Sequence, residues 1–288
     1  MNSLSKRQIL MGLGLAPLLQ ACSPLNLFNT LAPKDKDSRL LRANVPYGEG
    51  KRRTYDVYAP DGMTGPPPVL VFFYGGGWSG GSKDSYVWAG RALAALGYVT
   101  VLPDYRLVPE VHYPAFVEDC GAAVRHVMAN AEAYGGDASR LALMGHSAGA
   151  YNAMMVALVP EYLGLKPGAP SPVKAMVGVA GPYDFLPFDP GFAADAFGQW
   201  PKPEETQPVN HVHKTNTKFL LLYSLADKTV GPKNAISLDK KLKAAGAGVQ
   251  SIAYEKPSHT EIMAALSVPF RSKAPTLKDT HDFLAANV

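Results

Sequence analysis

The segment GHSAG at 145–149 places one hydroxyl between two glycines, where an apolar run ends and helix-forming residues begin. A G-x-S-x-G segment in that context holds its serine on a tight strand-to-helix turn, with the hydroxyl above the carboxyl edge of a sheet. The turn also leaves the amide of Ala148 unpaired at the start of the helix, where it can donate to a developing oxyanion. We therefore predict that Ser147 is a nucleophile.

A serine nucleophile requires a base that takes its proton and an acid that orients the base. Among the seven histidines, His259 in KPSHTEI follows the strand-like segment VQSIAYE and so belongs at the carboxyl edge of the sheet. It comes after the serine along the chain, in agreement with the order Ser, Asp, His of folds that carry the serine on such a strand-to-helix turn. We predict His259 as the base. The other histidines precede the serine, adjoin it, or lie in an irregular segment or in the last helix: His112, His126, His146, His211, His213 and His281.

Two aspartates are candidates for the orienting acid. Asp227 lies in SLADKTV, in the loop after the strand-like segment KFLLLYS, one strand before the histidine. Asp184, in AGPYDF after the preceding strand, is the alternative. A loop aspartate can also do no more than satisfy its own turn. We predict Asp227 because its loop leads into a helix and comes directly before the strand that carries the histidine.

These residues need a scaffold, and the alternation of strand-like and helix-like segments predicts one. Apolar runs such as PVLVFFY and YVTVLPDY are typical of strands buried on both faces, and amphipathic segments separate them. This order predicts an α/β fold with a mostly parallel sheet and helices on both faces. Residues 185–214 break the rhythm, and we expect a small, irregular cap-like insert over a cleft. Its candidate lining residues are aromatic: Phe185, Phe188, Phe192, Phe197 and Trp200.

Three further segments resemble α/β-hydrolases, and among them the esterases of the hormone-sensitive-lipase-like and bacterial feruloyl-esterase-like branch. YGGGW (74–78), after the strand PVLVFF, is similar to the HGGGW oxyanion motif of that branch. DYRLVPEVHYPA (104–115) resembles its DYRLAPE…FPA segment, and SLADKTVGP (224–232) resembles its acid loop. The resemblance covers about residues 50–285. It implies an α/β-hydrolase fold, acyl transfer through an acyl-enzyme, and no metal or cofactor.

Carried over position by position, the resemblance assigns a catalytic triad and three oxyanion donors. These are Ser147, Asp227 and His259, and the amides of Gly76, Gly77 and Ala148. The sequence departs from the family pattern at Tyr74, where the motif has histidine, and at Ser224, where the acid loop has glycine. The donors of the glycine loop are main-chain amides, so activity need not suffer. We interpret Asp104 and Arg106 as a structural pair.

Residues 1–21 are predicted to be a signal peptide, because Lys6 and Arg7 precede an apolar run too short to span a bilayer. The run ends at LLQAC, which resembles the lipobox of bacterial lipoproteins and implies cleavage before a lipidated Cys22. We expect a tether over residues 22–45 and a hydrolase domain over 46–288. Ser23 favours anchoring to the outer membrane on its periplasmic side. An ordinary secretory leader is the alternative, and the choice between Sec and twin-arginine export stays open.

The composition indicates a globular protein and gives no sign of nucleic-acid binding or of a disulfide bond. Hydrophobic residues make up 47% of the chain and charged residues 18%, which is typical of a globular protein. A formal charge of +4 gives no reason to expect binding to nucleic acid. The chain has two cysteines, so lipidation of Cys22 leaves Cys120 without a disulfide partner, and we expect Cys120 to pack as a small apolar residue.

The main hypothesis is therefore a carboxylesterase that acts on small acyl or aromatic-acyl esters. An arylformamidase or an exopeptidase could use the same triad. A non-catalytic binding protein on a hydrolase fold is the third alternative, which the presence of every triad member disfavours.

Overall fold

An eight-stranded sheet forms the centre of the computed structural model, which describes residues 24–288. The strands are β1 Ser38–Pro46, β2 Thr54–Pro60, β3 Pro68–Phe73, β4 Val99–Pro103, β5 Asp137–His146, β6 Val173–Val179, β7 Lys218–Ser224 and β8 Val249–Tyr254. Their order in the sheet is β1-β2-β4-β3-β5-β6-β7-β8. β1 and β2 pair antiparallel, as do β2 and β4, and all other neighbours are parallel.

Helices connect the parallel strands and cover both faces of the sheet. Within residues 24–288 they are α1 Pro24–Leu31, α2 Val87–Ala95, α3 Ala115–Asn130, α4 Ala148–Leu158, α5 Phe192–Phe197, α6 Lys233–Ala244, α7 Glu261–Ala264 and α8 Thr276–Asn287. The crossover through α2 runs in the opposite direction along the sheet from those through α3, α4 and α6. Because such crossovers are right-handed, α2 lies on the face opposite the other three helices. The predicted mostly parallel sheet with helices on both faces is confirmed.

The strand order reverses at β3, and this reversal locates the crevice of the fold. β4 lies on one side of β3 and β5 on the other, so the chain leaves β3 towards one end of the sheet and leaves β5 towards the other end. Ligand sites of open α/β sheets lie at such points. The five residues from Val69 to Phe73 are fully buried, in agreement with the continuous apolar run of PVLVFF. The loops at the crevice therefore start from a rigid strand.

The prediction of a tether over residues 22–45 is wrong for most of its length. Residues 24–31 form α1, and the ring of Phe28 packs edge-on against those of Trp88 and Phe270 at 5.4 and 5.6 Å. Residues 38–46 form the edge strand β1, so the sheet begins before residue 46. An edge strand with mostly exposed side chains lacks the alternation that marks a half-buried strand. The signal peptide and Cys22 lie outside the described residues.

The insert (residues 185–214) is more regular than predicted. It contains α5 and two short 3₁₀ turns, Pro203–Thr206 and Pro208–Asn210. The ring of Phe197 is fully buried, with its centroid 4.8 Å from that of Trp78 and 5.1 Å from that of Tyr151. The insert is thus joined to the body of the protein by aromatic packing around Trp78, the last residue of YGGGW.

Candidate active site

Ser147 occupies a strained turn between β5 and α4. Its backbone lies at φ 54° and ψ −124°, a region in which a non-glycine residue costs about 1–3 kcal/mol. A Cβ on Gly145 would lie 2.3 Å from the carbonyl oxygen of Gly149. A Cβ on Gly149 would lie 2.1 Å from the carbonyl oxygen of Phe73. The two glycines are therefore required because strand, turn and helix backbones are in direct contact.

Three predicted side chains form one continuous chain of hydrogen bonds. His259 Nε2 lies 2.9 Å from Ser147 Oγ, and His259 Nδ1 lies 2.7 Å from Asp227 Oδ2. An ionised carboxylate can accept hydrogen bonds but cannot donate them, so the proton is on Nδ1 and Nε2 is free to accept from the serine hydroxyl. Residues separated by 112 and 32 positions in the sequence are thus brought together at the carboxyl edge of the sheet. In this arrangement the histidine can take the proton of the serine.

The carboxylate of Asp227 is buried and held at both oxygens. It is 6% exposed, and its Oδ1 accepts the amides of Thr229 and Val230 at 2.8 and 2.9 Å. Burial by itself would raise the pKa of Asp227, but the hydrogen bond from His259 and the two amide hydrogen bonds lower it below its usual value. Asp227 therefore carries a negative charge next to the Nδ1 proton at neutral pH.

The alternative acid, Asp184, is engaged elsewhere. Its Oδ2 accepts the hydroxyl of Ser237 at 2.6 Å, and its amide donates to Asn234 Oδ1 at 2.9 Å. Four of the other histidines have partners away from the serine. His112 contacts the carbonyl of Asp195, His126 contacts the hydroxyl of Tyr55, and His211 and His213 bond within the insert. The structure therefore joins Asp227, and not Asp184, to His259.

The glycine loop 74–78 runs beside the nucleophile. A Cβ on Gly75 would lie 3.0 Å from that of Ser147, so the loop backbone is in contact with the elbow. Gly76 and Gly77 have φ values of 141° and 59°, and the carbonyl of Gly76 is held by the amides of Ser79 and Gly80. Ala148 is the first residue of α4, where helix geometry leaves an amide without a partner. The three predicted donors thus belong to the two segments that flank the serine.

Tyr74, where the family motif has histidine, is bound to Asp104 and makes no hydrogen bond to the serine. Its side chain is fully buried, and its hydroxyl donates to Asp104 Oδ1 at 2.8 Å. The predicted pair of Asp104 with Arg106 is wrong. Arg106 binds Asp119 through two nitrogens at 2.8 Å, whereas the amide of Lys83 donates to Asp104 at 2.7 Å. The two residues lie in the irregular segment that follows β4, and their side chains have different partners.

Two polar contacts at the histidine loop (residues 255–260) were not predicted. Ser224, where the family pattern has glycine, donates its hydroxyl to the carbonyl of Pro257 and so links the acid loop to the histidine loop. Glu261 accepts both the amide and the hydroxyl of Ser258 at 2.9 Å. The sequence did contain a signal for the second contact, because SHTE has the S-x-x-E spacing of a capping box.

One aromatic residue of the insert lies over the glycine loop. The ring of Phe192 would come within 2.8 Å of a Cβ on Gly77. Phe192 is 65% exposed, whereas Phe197 is fully buried in the contact with Trp78. Phe192 is therefore a member of the predicted lining set with exposed ring surface beside the glycine loop. Among residues 24–288 no cluster of His, Cys, Asp and Glu side chains is arranged to hold a metal ion.

The sheet order, the strained serine and its bonded partners define an α/β-hydrolase. Solved structures have the same fold. Esterase B from Lactobacillus rhamnosis, inhibited by a tributyrin phosphonate, superposes with a TM-score of 0.80 at 18% identity, covering 94% of this chain and 93% of that one. A truncated carbohydrate esterase from gut microbiota superposes at 0.73 with 21% identity, covering 88% and 98%.

The chain belongs to the BD-FAE family, whose model matches residues 55–242. Esterase LipC of Mycobacterium tuberculosis is 30% identical over 223 residues, which are 70% of this chain and 55% of that protein. The probable isoprenylcysteine alpha-carbonyl methylesterase ICMEL1 of Arabidopsis thaliana is 28% identical over 249 residues, which are 78% of this chain and 52% of that protein. The chain thus spans about half the length of these relatives.

Proposed function

We propose that this protein is a carboxylesterase-type serine hydrolase that acts on small acyl or aromatic-acyl esters. One observation carries the proposal: the hydrogen-bond chain from Ser147 through His259 to the buried carboxylate of Asp227. A hydroxyl that shares its proton with an oriented imidazole is an activated nucleophile. The relatives described above, an esterase and a probable methylesterase, support the same reaction class.

In the proposed reaction Ser147 Oγ attacks the carbonyl carbon of the ester while His259 Nε2 takes the proton. The amides of Gly76, Gly77 and Ala148 donate to the tetrahedral oxyanion. His259 then gives the proton to the departing alkoxide. The alcohol is released, and the acyl group stays bound to Ser147 as an acyl-enzyme. Water then attacks the acyl-enzyme while His259 takes its proton, and the return of this proton to Ser147 Oγ releases the carboxylic acid and restores the serine. Loss of one oxyanion donor in such sites costs about 10²–10³-fold in kcat.

Covalent labelling and substrate comparison test this proposal together. A fluorophosphonate should label the purified protein, and the Ser147→Ala variant should not be labelled. Turnover should be measured on p-nitrophenyl esters from two to twelve carbons, on N-formylkynurenine and on aminoacyl anilides. We expect the esters to be the better substrates. Formamide or anilide turnover with negligible ester turnover would favour the arylformamidase or exopeptidase alternative, and a protein that is neither labelled nor active would favour the binding protein.

We also propose that the chain is exported and anchored through a lipidated Cys22, on the periplasmic side of the outer membrane. The lipobox-like LLQAC supports this, and so does the helix that follows it. α1 begins two residues after the cysteine, and Leu27 and Leu31, one turn apart, are 59% and 71% exposed. Within residues 24–288 no helix is long and apolar enough to cross a bilayer.

Metabolic labelling with palmitate tests the anchor. The wild-type protein should take up label, and Cys22→Ser should not. Cys120→Ser is the matched control, because this thiol is fully buried within α3 and unavailable to a lipid-transferring enzyme. Equal labelling of wild type and Cys22→Ser would refute the proposal.

A further inference from the structure

His146, which occupies the first variable position of G-x-S-x-G, makes a contact that the proposed mechanism leaves unused. Its side chain is 5% exposed. Its Nε2 lies 3.1 Å from the main-chain carbonyl oxygen of His259. Because a carbonyl can accept but not donate, the proton of the imidazole is on Nε2. His146 therefore donates to the backbone of the same residue whose side chain serves Ser147.

We propose that His146 is a positioning residue for the proposed acyl transfer, one that holds the main chain of His259 and so keeps its imidazole in line with Ser147. This inference rests on the proposed function. His146 and Ser147 are consecutive residues of one elbow, so the donor that holds the histidine loop and the hydroxyl that receives the imidazole move together. The contact therefore fixes the position of His259 relative to the nucleophile itself, not merely relative to the sheet.

The state of the His146 ring suits this role. Burial lowers the pKa of His146 to about 3, with a further contribution from the nearby His259, so that the ring stays neutral well into the acid range. The two rings lie 5.0 Å apart between centroids. Within the described residues Nδ1 of His146 has no hydrogen-bond partner, and it would lie 2.9 Å from a Cβ on Gly75. Within the described residues the ring thus makes one hydrogen bond, to the carbonyl of His259.

Other contacts hold the histidine loop at different points. Ser224 binds the carbonyl of Pro257, two residues before the histidine, and Glu261 binds Ser258. Neither reaches the carbonyl of His259. Loss of the His146 contact should therefore leave the loop folded while it loosens the imidazole. Misplacement of a reacting group by about 1 Å can cost about 10²-fold in rate.

Two substitutions of His146 separate donation from volume. His146→Leu fills the site without a donor, and His146→Gln supplies an amide N–H that can reach the same carbonyl. On p-nitrophenyl acetate we expect kcat of His146→Leu to fall by roughly 10- to 100-fold with KM within about threefold, because positioning and not binding is lost. His146→Gln should retain kcat within about fivefold of wild type. His146→Asn, whose shorter amide falls short of the carbonyl, replaces the leucine variant if that one does not fold.

Thr217→Val is the matched control for a buried hydrogen bond lost elsewhere. The hydroxyl of Thr217 donates to the carbonyl of Val173 at 2.8 Å, at the opposite edge of the sheet. This variant should keep kcat within about twofold at temperatures well below its unfolding transition. Wild-type kcat in His146→Leu, no rescue by glutamine, or an equal loss in Thr217→Val would overturn the inference. Absence of ester turnover and fluorophosphonate labelling in the wild type would instead overturn the proposed function.

Discussion

Replacement of Asp227 by asparagine tests the site most directly, because the structure dictates how the new amide must lie. Oδ1 of Asp227 accepts two backbone amides, those of Thr229 and Val230. In Asp227→Asn the side-chain oxygen must keep those bonds. Turning the amide round would forfeit two hydrogen bonds of about 1 kcal/mol each, so the bias is about 2 kcal/mol, or ~30-fold. The NH₂ group of the asparagine therefore faces His259 Nδ1.

That orientation inverts the tautomer of the base. His259 must now accept at Nδ1 and carry its proton on Nε2, so that it presents a donor to Ser147 and cannot take the serine proton. The negative charge that stabilises the imidazolium is lost as well. We expect kcat to fall by about 10⁴-fold, which corresponds to about 5 kcal/mol in the activation barrier, with the fold intact.

The assay is steady-state hydrolysis of p-nitrophenyl acetate, with Asp184→Asn as the matched control. Asp184 follows the neighbouring strand and bonds to Ser237 instead of to a histidine, so its variant should keep kcat within about threefold. An Asp227→Asn enzyme that retains more than a tenth of wild-type kcat, or an Asp184→Asn enzyme that loses as much as it, would refute the reasoning.

Three further outcomes follow from the geometry. The free energy of unfolding of Ser147→Gly should exceed that of Ser147→Ala by about 1 kcal/mol, seen as a higher urea midpoint, because glycine adopts φ 54° without strain; equal midpoints would show that the elbow stores no strain. Gly149→Ala should cost more than about 3 kcal/mol or prevent folding, since its Cβ would lie 2.1 Å from the Phe73 carbonyl, whereas Gly65→Ala, with open space around it, should stay within about 0.5 kcal/mol in the same titration. Phe192→Ala should leave stability within about 1 kcal/mol, since the ring is 65% exposed, and should raise KM for long or aromatic acyl esters more than for acetate; an unchanged chain-length profile would place the substrate elsewhere.

The free energy of unfolding at acid pH gives one more test. Since the folded protein lowers the pKa of Asp227, its contribution to the free energy of unfolding is present above the usual pKa of the carboxyl and is lost as pH falls through the lowered value. The stability difference between wild type and Asp227→Asn should therefore shrink below about pH 4. A difference that stays constant across this range in urea titrations would contradict the lowered pKa.

Local patterns in the sequence were sufficient to predict the elbow and the layers of the fold. GHSAG lies between a buried apolar run and a helix, and each of these signals depends on residues within a few positions of one another. The apolar run PVLVFF likewise predicted a strand that is buried along its whole length. Such features depend on backbone sterics and on the periodicity of hydrophobic residues, and both can be recognised within a short stretch of sequence.

Features that depend on distant partners were decided by the tertiary structure. The sequence favoured Asp227 over Asp184 from the order of the loops, and the placement of β8 next to β7 brings His259 within hydrogen-bond distance of Asp227. The predicted pairing of Asp104 with Arg106 is wrong, because Arg106 binds Asp119, a residue of α3. The donation from His146 to the carbonyl of His259 joins residues 113 positions apart, and no local pattern could have predicted it.

The amino-acid sequence by itself thus determined the chemistry available to this protein: a serine on a strand-to-helix turn, with histidine and carboxylate on later loops at the same edge. The tertiary structure alone decided which side chains hold the histidine loop and that residues 24–46 belong to the folded domain, and it supplied the contact between His259 and the predicted Asp227. The physical reason is that hydrogen bonds of the site and pairing of the edge strand are nonlocal. Their geometry exists once the sheet has brought the loops together.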